Sequence, residues 1–156
     1  MKKWAIPPEI KVYEALGGIG DKRIDVSGDE AKVFSSSKGK FYSIQYNEKE
    51  NAIMCNDNGS YWKGYLGYPS IAFLMLKGKI KYNPKFSEAL KEIPWKDINV
   101  KFKNNFSKTE QYILEIVEKR GYKKEELIEE VKQISSQIES LSINQLGKRT
   151  IPPKGY

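Results

Sequence analysis

Apolar and polar residues alternate along short segments in the first part of the chain, which is the pattern of β-strands with one buried face. Turn residues separate four short β-like segments, which are 23–26, 31–34, 41–46 and 52–55. Their close spacing predicts an antiparallel meander. Strands this short need a helix packed on one face to be stable, and the apolar segment 70–76 is the predicted cover. We expect the following side chains to be buried between sheet and helix: Ile53, Ile71, Phe73, Leu74 and Leu76.

Helical periodicity is found on both sides of the meander. A first helix is predicted to open at Pro7 and Pro8, because Pro is tolerated in a first helical turn, and to end at the glycines of 17–20. A capping box at Ser107–Glu110 opens a later helix and Gly121 closes it. The helices predicted after the meander are 84–93, 95–106, 109–120 and 123–141.

The last predicted helix carries a heptad-like apolar seam. Its apolar residues recur at spacings of four, three, four and three, at Leu127, Val131, Ile134, Ile138 and Leu141. Such a seam requires a partner helix. The preceding helix, with Tyr112, Ile113, Ile116 and Val117, would form an antiparallel hairpin with it, and the alternative is a coiled coil between chains.

These elements predict an α+β fold, in which a small antiparallel β-meander is covered by helices and followed by a helical C-terminal half that ends in a helical hairpin. The chain has 156 residues, 39% of them hydrophobic, which is enough for one domain with its own core. We expect three parts. They are an α+β domain over 1–106, a hairpin over 107–143 that packs on it or on a partner, and a loose tail over 144–156.

The formal net charge of +7 is concentrated in one part of the chain. Residues 61–109 hold 10 Lys or Arg against 3 Asp or Glu, and they are also rich in aromatic residues. Lysines neutralise phosphates and rings stack on unpaired bases, so this composition favours a nucleic-acid surface. A solvated lysine-rich surface is the other interpretation. The candidate nucleic-acid-binding residues are Lys63, Lys77, Lys79, Lys81, Lys101, Lys103, Trp62, Tyr65 and Tyr68.

One stretch of the chain resembles a known zinc module whose ligands have been replaced. The sequence Ile-Met-Cys-Asn-Asp at 53–57, followed by Gly-Tyr-Pro-Ser-Ile-Ala at 67–72, is similar to the SWIM zinc finger, and the resemblance covers residues 31–77. Aligning Asp57 and Ala72 with the family's Asp and Ala puts the ligand positions at Ile53, Cys55, Gly67 and Pro69. A structural zinc site needs four donors, and the chain has one Cys and no His. The resemblance therefore implies a zinc-free module that binds DNA or proteins and accompanies recombination factors.

The residues available for catalysis are few. Without His, the commonest general base and metal ligand is missing, and Ser-His or Cys-His pairs cannot form. Cys55 ends a predicted strand and is expected to be a small buried hydrophobe. The segment Asn56–Gly59 is interpreted as a tight turn with Asn58 and Gly59 in the left-handed conformation. We expect no enzyme activity, no cofactor and no metal.

No apolar segment is long enough to cross a membrane, since the longest, 71–76, ends after six residues. The start of the chain has no signal-peptide pattern, and the single Cys fits a reducing compartment. We therefore expect a cytoplasmic protein without a membrane partner. The predicted function is a non-enzymatic nucleic-acid-binding or DNA-recombination-associated accessory module. The alternative is a protein-interaction subunit that docks a partner through its helical hairpin, and the oligomeric state stays open.

Overall fold

A five-stranded, mostly antiparallel sheet forms one layer of the computed structural model, which describes residues 1–154. The strands lie side by side in chain order. They are β1 Ile24–Ser27, β2 Glu30–Phe34, β3 Phe41–Asn47, β4 Ala52–Cys55 and β5 Asn144–Gln145. Side chains of β2 and β3 alternate between buried and exposed, as the sequence pattern requires, whereas all four residues of β4 are buried. The predicted α+β class with its meander is confirmed.

Besides the strands, the described chain forms six α-helices and a short π-helical turn, which loops connect. The helices are α1 Ile10–Gly20, α2 Tyr68–Leu76, α3 Pro84–Ala89, α4 Trp95–Lys101, α5 Phe106–Lys119 and α6 Lys124–Leu141, and the π-helical turn is Gly59–Lys63. Helix α2 lies on the sheet, and α1 contacts α2, α3, α5 and α6. Helix α5 begins three residues before the predicted Thr109, because the Asn105 side chain accepts a hydrogen bond from the Lys108 amide at 3.2 Å. None of the helices in residues 1–154 combines the length and apolarity that a membrane span requires.

The predicted core lies between the sheet and α2, with one exception. Ile53, Ile71, Phe73 and Leu74 are fully buried, but Leu76 is 41% exposed, so the prediction of its burial was wrong. Leu76 is the last residue of α2. Two residues turn a helix by about 200°, so Leu76 faces away from the surface that Leu74 packs against.

The apolar seam of the C-terminal hairpin is buried within the chain itself. Helices α5 and α6 contact each other and both contact α1. The seam's buried residues are Ile113, Val117, Leu127, Val131, Ile134 and Ile138, and Leu141 is partly buried. The surface that the hairpin offers to a partner protein is therefore mainly its polar outer face.

The segment predicted as a loose tail begins with a strand. Residues 144–145 pair in parallel with β4, and the Leu146 amide donates to the Ile53 carbonyl at 3.1 Å. The Gln145 amide donates to the Lys2 carbonyl at 2.6 Å. Without β5, β4 would present an unpaired sheet edge, and pairing it satisfies those backbone groups. Residues 155–156 of the predicted tail lie outside the described chain.

Candidate ligand pocket

A polar pocket of about 400 Å³ opens at the end of the sheet where β2 connects to β3. Its walls come from α1, the loop 35–40, the start of the π-helical turn, and α4 with the residues that follow it. Five cationic side chains and two carboxylates line it: Lys11, Arg23, Lys40, Lys96, Lys103, Glu14 and Asp57. Four aromatic rings complete the lining, at Tyr42, Tyr65, Tyr68 and Trp95. The pocket therefore combines excess positive charge with acceptors and rings.

Lys11 and Glu14 form an ion pair inside the pocket. They lie three residues apart on α1, with Lys11 Nζ 3.2 Å from Glu14 Oε1. Asn99 Nδ2, from α4, also donates to Glu14 Oε1 at 3.4 Å. Burial opposes the charge of Lys11, but Glu14, Tyr65 and Asp57 outweigh it and raise the pKa of Lys11. The ammonium therefore stays charged and can meet an anionic group of a ligand.

Arg23 is a buried residue of the pocket wall that joins neighbouring parts of the wall by hydrogen bonds. It is 3% exposed, and its Nη1 donates to the Phe34 carbonyl at 2.7 Å and to the Tyr68 hydroxyl at 3.2 Å. Burial raises the pKa of Tyr68, although Arg23 acts in the opposite direction. The Tyr42 ring meets the Tyr68 ring edge to face, with centroids 6.4 Å apart. The guanidinium thus fixes both the loop after β2 and one of the rings.

Asp57 is a buried carboxylate between the strands and α2. Its Oδ1 accepts from Ser60 Oγ at 2.5 Å and its Oδ2 accepts from the Ser60 amide at 3.2 Å. The carboxylate lies directly on Gly67, where an added Cβ would be 2.0 Å from Oδ2. Burial raises the pKa of Asp57, against the hydrogen bonds from Ser60.

The hydrogen bonds between Asp57 and Ser60 cap a helical turn at the place where the sequence predicted a tight turn. Asn58 has φ −63° and ψ −42°, which is right-handed helical, so the prediction of a left-handed Asn58 was wrong. The side chain of Asp57 satisfies the Ser60 amide, as an N-cap does. The chain consequently continues into a helical turn after β4 and reverses only at Gly64, where φ is 71°.

Two buried polar atoms of the pocket wall have no hydrogen-bond partner among the described residues: Trp95 Nε1 and Asn99 Oδ1. Trp95 Nε1 packs against α1 at Gly17, 2.9 Å from where a Cβ would lie. A buried polar atom without a partner is costly. The Asn99 oxygen is closed to solvent in this conformation, so a donor on a ligand reaches it only when the Asn99 side chain turns toward the pocket.

Unusual backbone conformations concentrate at this end of the molecule. Seven non-glycine residues in the described chain have positive φ. Lys103 and Asn104 line the pocket, and Lys22, Lys38 and Glu92 line a more open neighbouring cleft that shares Ser36 with it. Each such residue costs about 1–2 kcal/mol, and strain of this kind clusters at binding sites.

The structure brings only part of the predicted nucleic-acid-binding set together. Tyr65, Tyr68 and Lys103 line the pocket. Trp62 and Lys63 lie on the π-helical turn that starts at its rim, with Trp62 68% exposed.

The remaining predicted residues lie elsewhere. Lys101, on α4, has its Nζ 5.4 Å from the ring centroids of both Phe102 and Tyr112. Lys77 and Lys79 sit beside the turns at the opposite end of the sheet, where Lys77 pairs with Asp29 at 3.8 Å and Lys79 pairs with Glu48. The Lys81 amide donates to Gln137 of α6. Five residues of β2 span about 17 Å, so Lys77 and Lys79 lie on a surface separate from the pocket, whereas Lys101 lies on the helix that forms one of its walls.

Sequence reasoning missed most of the side chains that give the pocket its charge and hydrogen-bonding groups, namely Lys11, Glu14, Arg23, Lys40, Trp95, Lys96 and Asn99, together with the role of Asp57. Glu14 carried a signal, because it stands in the otherwise apolar stretch 12–16 of a predicted helix and is 5% exposed. The others had no local signal, since their elements meet only in the folded chain.

Comparison with known proteins gives one match. The model of a family described as uncharacterised conserved protein UCP014422 matches residues 4–144, and this region includes all the residues that line the pocket. No curated protein and no solved structure matches the chain.

Proposed function

Because the chain belongs to the family of uncharacterised conserved proteins UCP014422, we propose a function for the pocket that the matched region encloses: it binds a nucleotide unit, a phosphate joined to a sugar and a base. The observation that carries this proposal is the mixed lining of the pocket. Its cations suit a phosphate, whereas the Glu14 carboxylate and the Asn99 oxygen are acceptors of the kind that the N–H donors of a base require. A volume of about 400 Å³ lies within the range of small-ligand sites.

The arrangement of charges supports a ligand with two chemically different ends. An inorganic anion would use Lys11 and Lys103 but would leave the acceptors unsatisfied. A neutral ring compound would satisfy acceptors such as Asn99 and leave the positive charge uncompensated. A nucleotide offers both an anionic and a donor-bearing part, and the Tyr65 ring in the wall offers a face or edge for a base.

We also propose a source for this nucleotide. The resemblance to the SWIM module and the basic middle segment support a nucleic acid as the source of the nucleotide, and with it a role as a DNA-recombination-associated accessory protein in the cytoplasm. Docking of a partner protein through the hairpin is less favoured, because its apolar seam is buried against the chain's own helices.

The test measures binding of nucleoside monophosphates by calorimetry at low ionic strength, with inorganic phosphate and the matching nucleosides as fragments. We expect a monophosphate to bind more tightly than either fragment, with affinity falling as salt rises. Equal affinities for a monophosphate and for phosphate would reduce the pocket to an anion site and overturn the proposal.

The matched variants are Lys103→Gly and Lys132→Ala. Lys103 lines the pocket and has φ 51°, so glycine removes the charge at a position whose backbone favours glycine. We expect affinity to fall about tenfold, which corresponds to about 1.4 kcal/mol, without loss of stability. Lys132, exposed on α6 and outside the pocket, loses the same charge. It should leave affinity within about twofold when the variants are compared at about 0.15 M salt, where distant surface charges are screened.

A further inference from the structure

Trp62 presents an unusually exposed ring next to the pocket. Of the three tryptophans, Trp4 and Trp95 are 6% and 2% exposed, whereas Trp62 is 68% exposed. Its ring lies edge to face against Tyr61, with centroids 4.7 Å apart. A large aromatic ring in this position contributes little to the core, so its free face is available to a ligand.

Arg149, which is distant in sequence, stabilises the turn that carries Trp62. Arg149 Nη1 donates to the Tyr61 carbonyl at 3.1 Å, and its guanidinium lies against Gly64, where an added Cβ would be 3.2 Å away. Gly64 ends the turn with φ 71°. The backbone that presents the ring is thus fixed on both sides before any ligand binds, which lowers the cost of ordering it.

The ring lies within reach of the pocket. Gly59 and Tyr65 both line the pocket, and Trp62 is three residues from each of them. Three helical residues advance by about 4.5 Å, so the backbone of Trp62 lies within about one turn of two residues that line the pocket. A ligand that extends out of the pocket along this turn would reach Trp62.

The charge around the ring suits a phosphate backbone. Two cations lie close to Trp62 along the same turn: Lys63 directly follows it, and the Arg149 guanidinium lies against Gly64 and the Tyr61 carbonyl. An apolar surface of a partner protein would fit this turn less well. Asn58, which precedes the turn, and Lys63, which lies within it, are both exposed polar residues. Stacking on an aromatic ring beside cations is how single-stranded nucleic acids are held without base selection.

We propose that Trp62 is a stacking platform for a second base, so that the ligand is a single-stranded nucleic acid of at least two nucleotides and not a free mononucleotide. This inference rests on the proposed function for the first nucleotide, which occupies the pocket. The platform and the pocket then bind consecutive units of one strand.

The experiment titrates the protein with a mononucleotide, a dinucleotide and a tetranucleotide of deoxythymidylate, and with the uridylate series, following affinity and tryptophan fluorescence. We expect the dinucleotide to bind about tenfold more tightly than the mononucleotide, as one stacked base contributes. Binding of the dinucleotide should also quench the emission of Trp62. Trp62→Ala should lower dinucleotide affinity to that of the mononucleotide and leave mononucleotide affinity unchanged.

Trp62→Phe serves as the matched control, because it keeps a stacking ring and removes the reporter. It should retain most of the dinucleotide affinity and lose the additional quenching. Any quenching that persists then comes from Trp95 in the pocket wall or from Trp4.

The possible failures are distinguishable. Equal affinity for mononucleotide and dinucleotide, with no effect of Trp62→Ala, overturns the platform and leaves the pocket proposal intact. If no nucleotide of any length binds, both proposals fail. A Trp62→Ala variant that binds all ligands more weakly and melts at a lower temperature shows that the ring has a structural role, which also overturns the platform.

Discussion

The two ends of the sheet both carry lysines, but they use them differently. At the end formed by the β1–β2 and β3–β4 turns, Lys77 pairs with Asp29 and Lys79 with Glu48. The partner carboxylates are 65% exposed, so these are surface ion pairs. At the other end, the loop between β2 and β3 closes over a pocket in which cations outnumber carboxylates.

The difference shows that a count of charges along the chain does not locate a site. Lys77 and Lys79 belong to the segment with the largest positive excess, yet they meet acidic residues from turns that are about 30 to 50 positions away in sequence. Lys11 belongs to a part of the chain without net charge and is itself paired with Glu14, yet it lines the pocket. Whether a lysine lies in a pocket or on an open surface is determined by the fold and not by the charge count of its segment.

The largest effect is expected for Gly67→Ala, at the pocket end. The new methyl group would collide with the carboxylate of Asp57, which is buried and cannot move away without losing its bonds to Ser60. Overpacking of this kind costs about 1–3 kcal/mol, measurable by urea denaturation.

The control for this prediction is a double-mutant cycle with Asp57→Ala. If the collision is the cause, the double variant should be more stable than the sum of the single changes implies. Additive effects would show that Gly67 is needed for another reason and that the pocket end is less tightly packed than described.

A second prediction concerns the carboxylates at the two ends. The pKa of Asp57 is raised by burial, whereas the pKa of Glu48 is lowered by the hydrogen bond and the charge of Lys79. Carbon NMR of the side-chain carboxyls should therefore place the Asp57 titration above its ordinary value and the Glu48 titration below its own.

The sign of the stability change follows from linkage. Because the folded protein binds the Asp57 proton more tightly than the unfolded chain does, this group's contribution is present at low pH and is lost as pH rises through its folded pKa. The Glu48 contribution has the opposite sign, being present above its ordinary pKa and lost as pH falls. It should be small because the pair is exposed. If the Asp57 and Glu48 titrations were both shifted in the same direction from their ordinary values, the two ends of the sheet would not differ in the way described.

The contrast also indicates which features the sequence could predict. Strands β1 to β3 and the seam of α6 follow from local periodicity, which is visible at spacings of two, three and four residues, whereas β4 follows from an apolar run bounded by turn residues. Strand β5 has only two residues, too few for a pattern. The pocket joins residues as distant as Lys11, Asp57 and Asn99, and no local rule connects them. Among the pocket residues, Glu14 could have been recognised from the sequence, because it is a charged residue between apolar residues of a predicted helix.

Replacing both Lys77 and Lys79 by Ala should have a much smaller effect than changes in the pocket. Their ion pairs are exposed and contribute little, so the melting temperature should stay close to that of the parent protein. Nucleotide affinity should change by less than about twofold, because charges beyond a Debye length are screened. A loss as large as that of Lys103→Gly would show that the ligand reaches the other end of the sheet.

The smallest effect is expected for a chelator, which should leave the melting temperature unchanged. At the four positions that the proposed SWIM resemblance would assign to zinc ligands, Ile53 and Cys55 are 0% and 1% exposed, and Gly67 and Pro69 carry no ligating group. Burial and the neighbouring Asp57 raise the pKa of the Cys55 thiol well above its usual value, whereas metal binding requires the thiolate. The bonds of Asp57 to Ser60 and its contact with Gly67 join the end of β4 to the start of α2, the place to which the proposed resemblance would assign a metal. Elemental analysis should accordingly find no stoichiometric zinc. One tightly held zinc per chain, or a lower melting temperature in chelator, would mean that a metal and not Asp57 stabilises this end of the molecule.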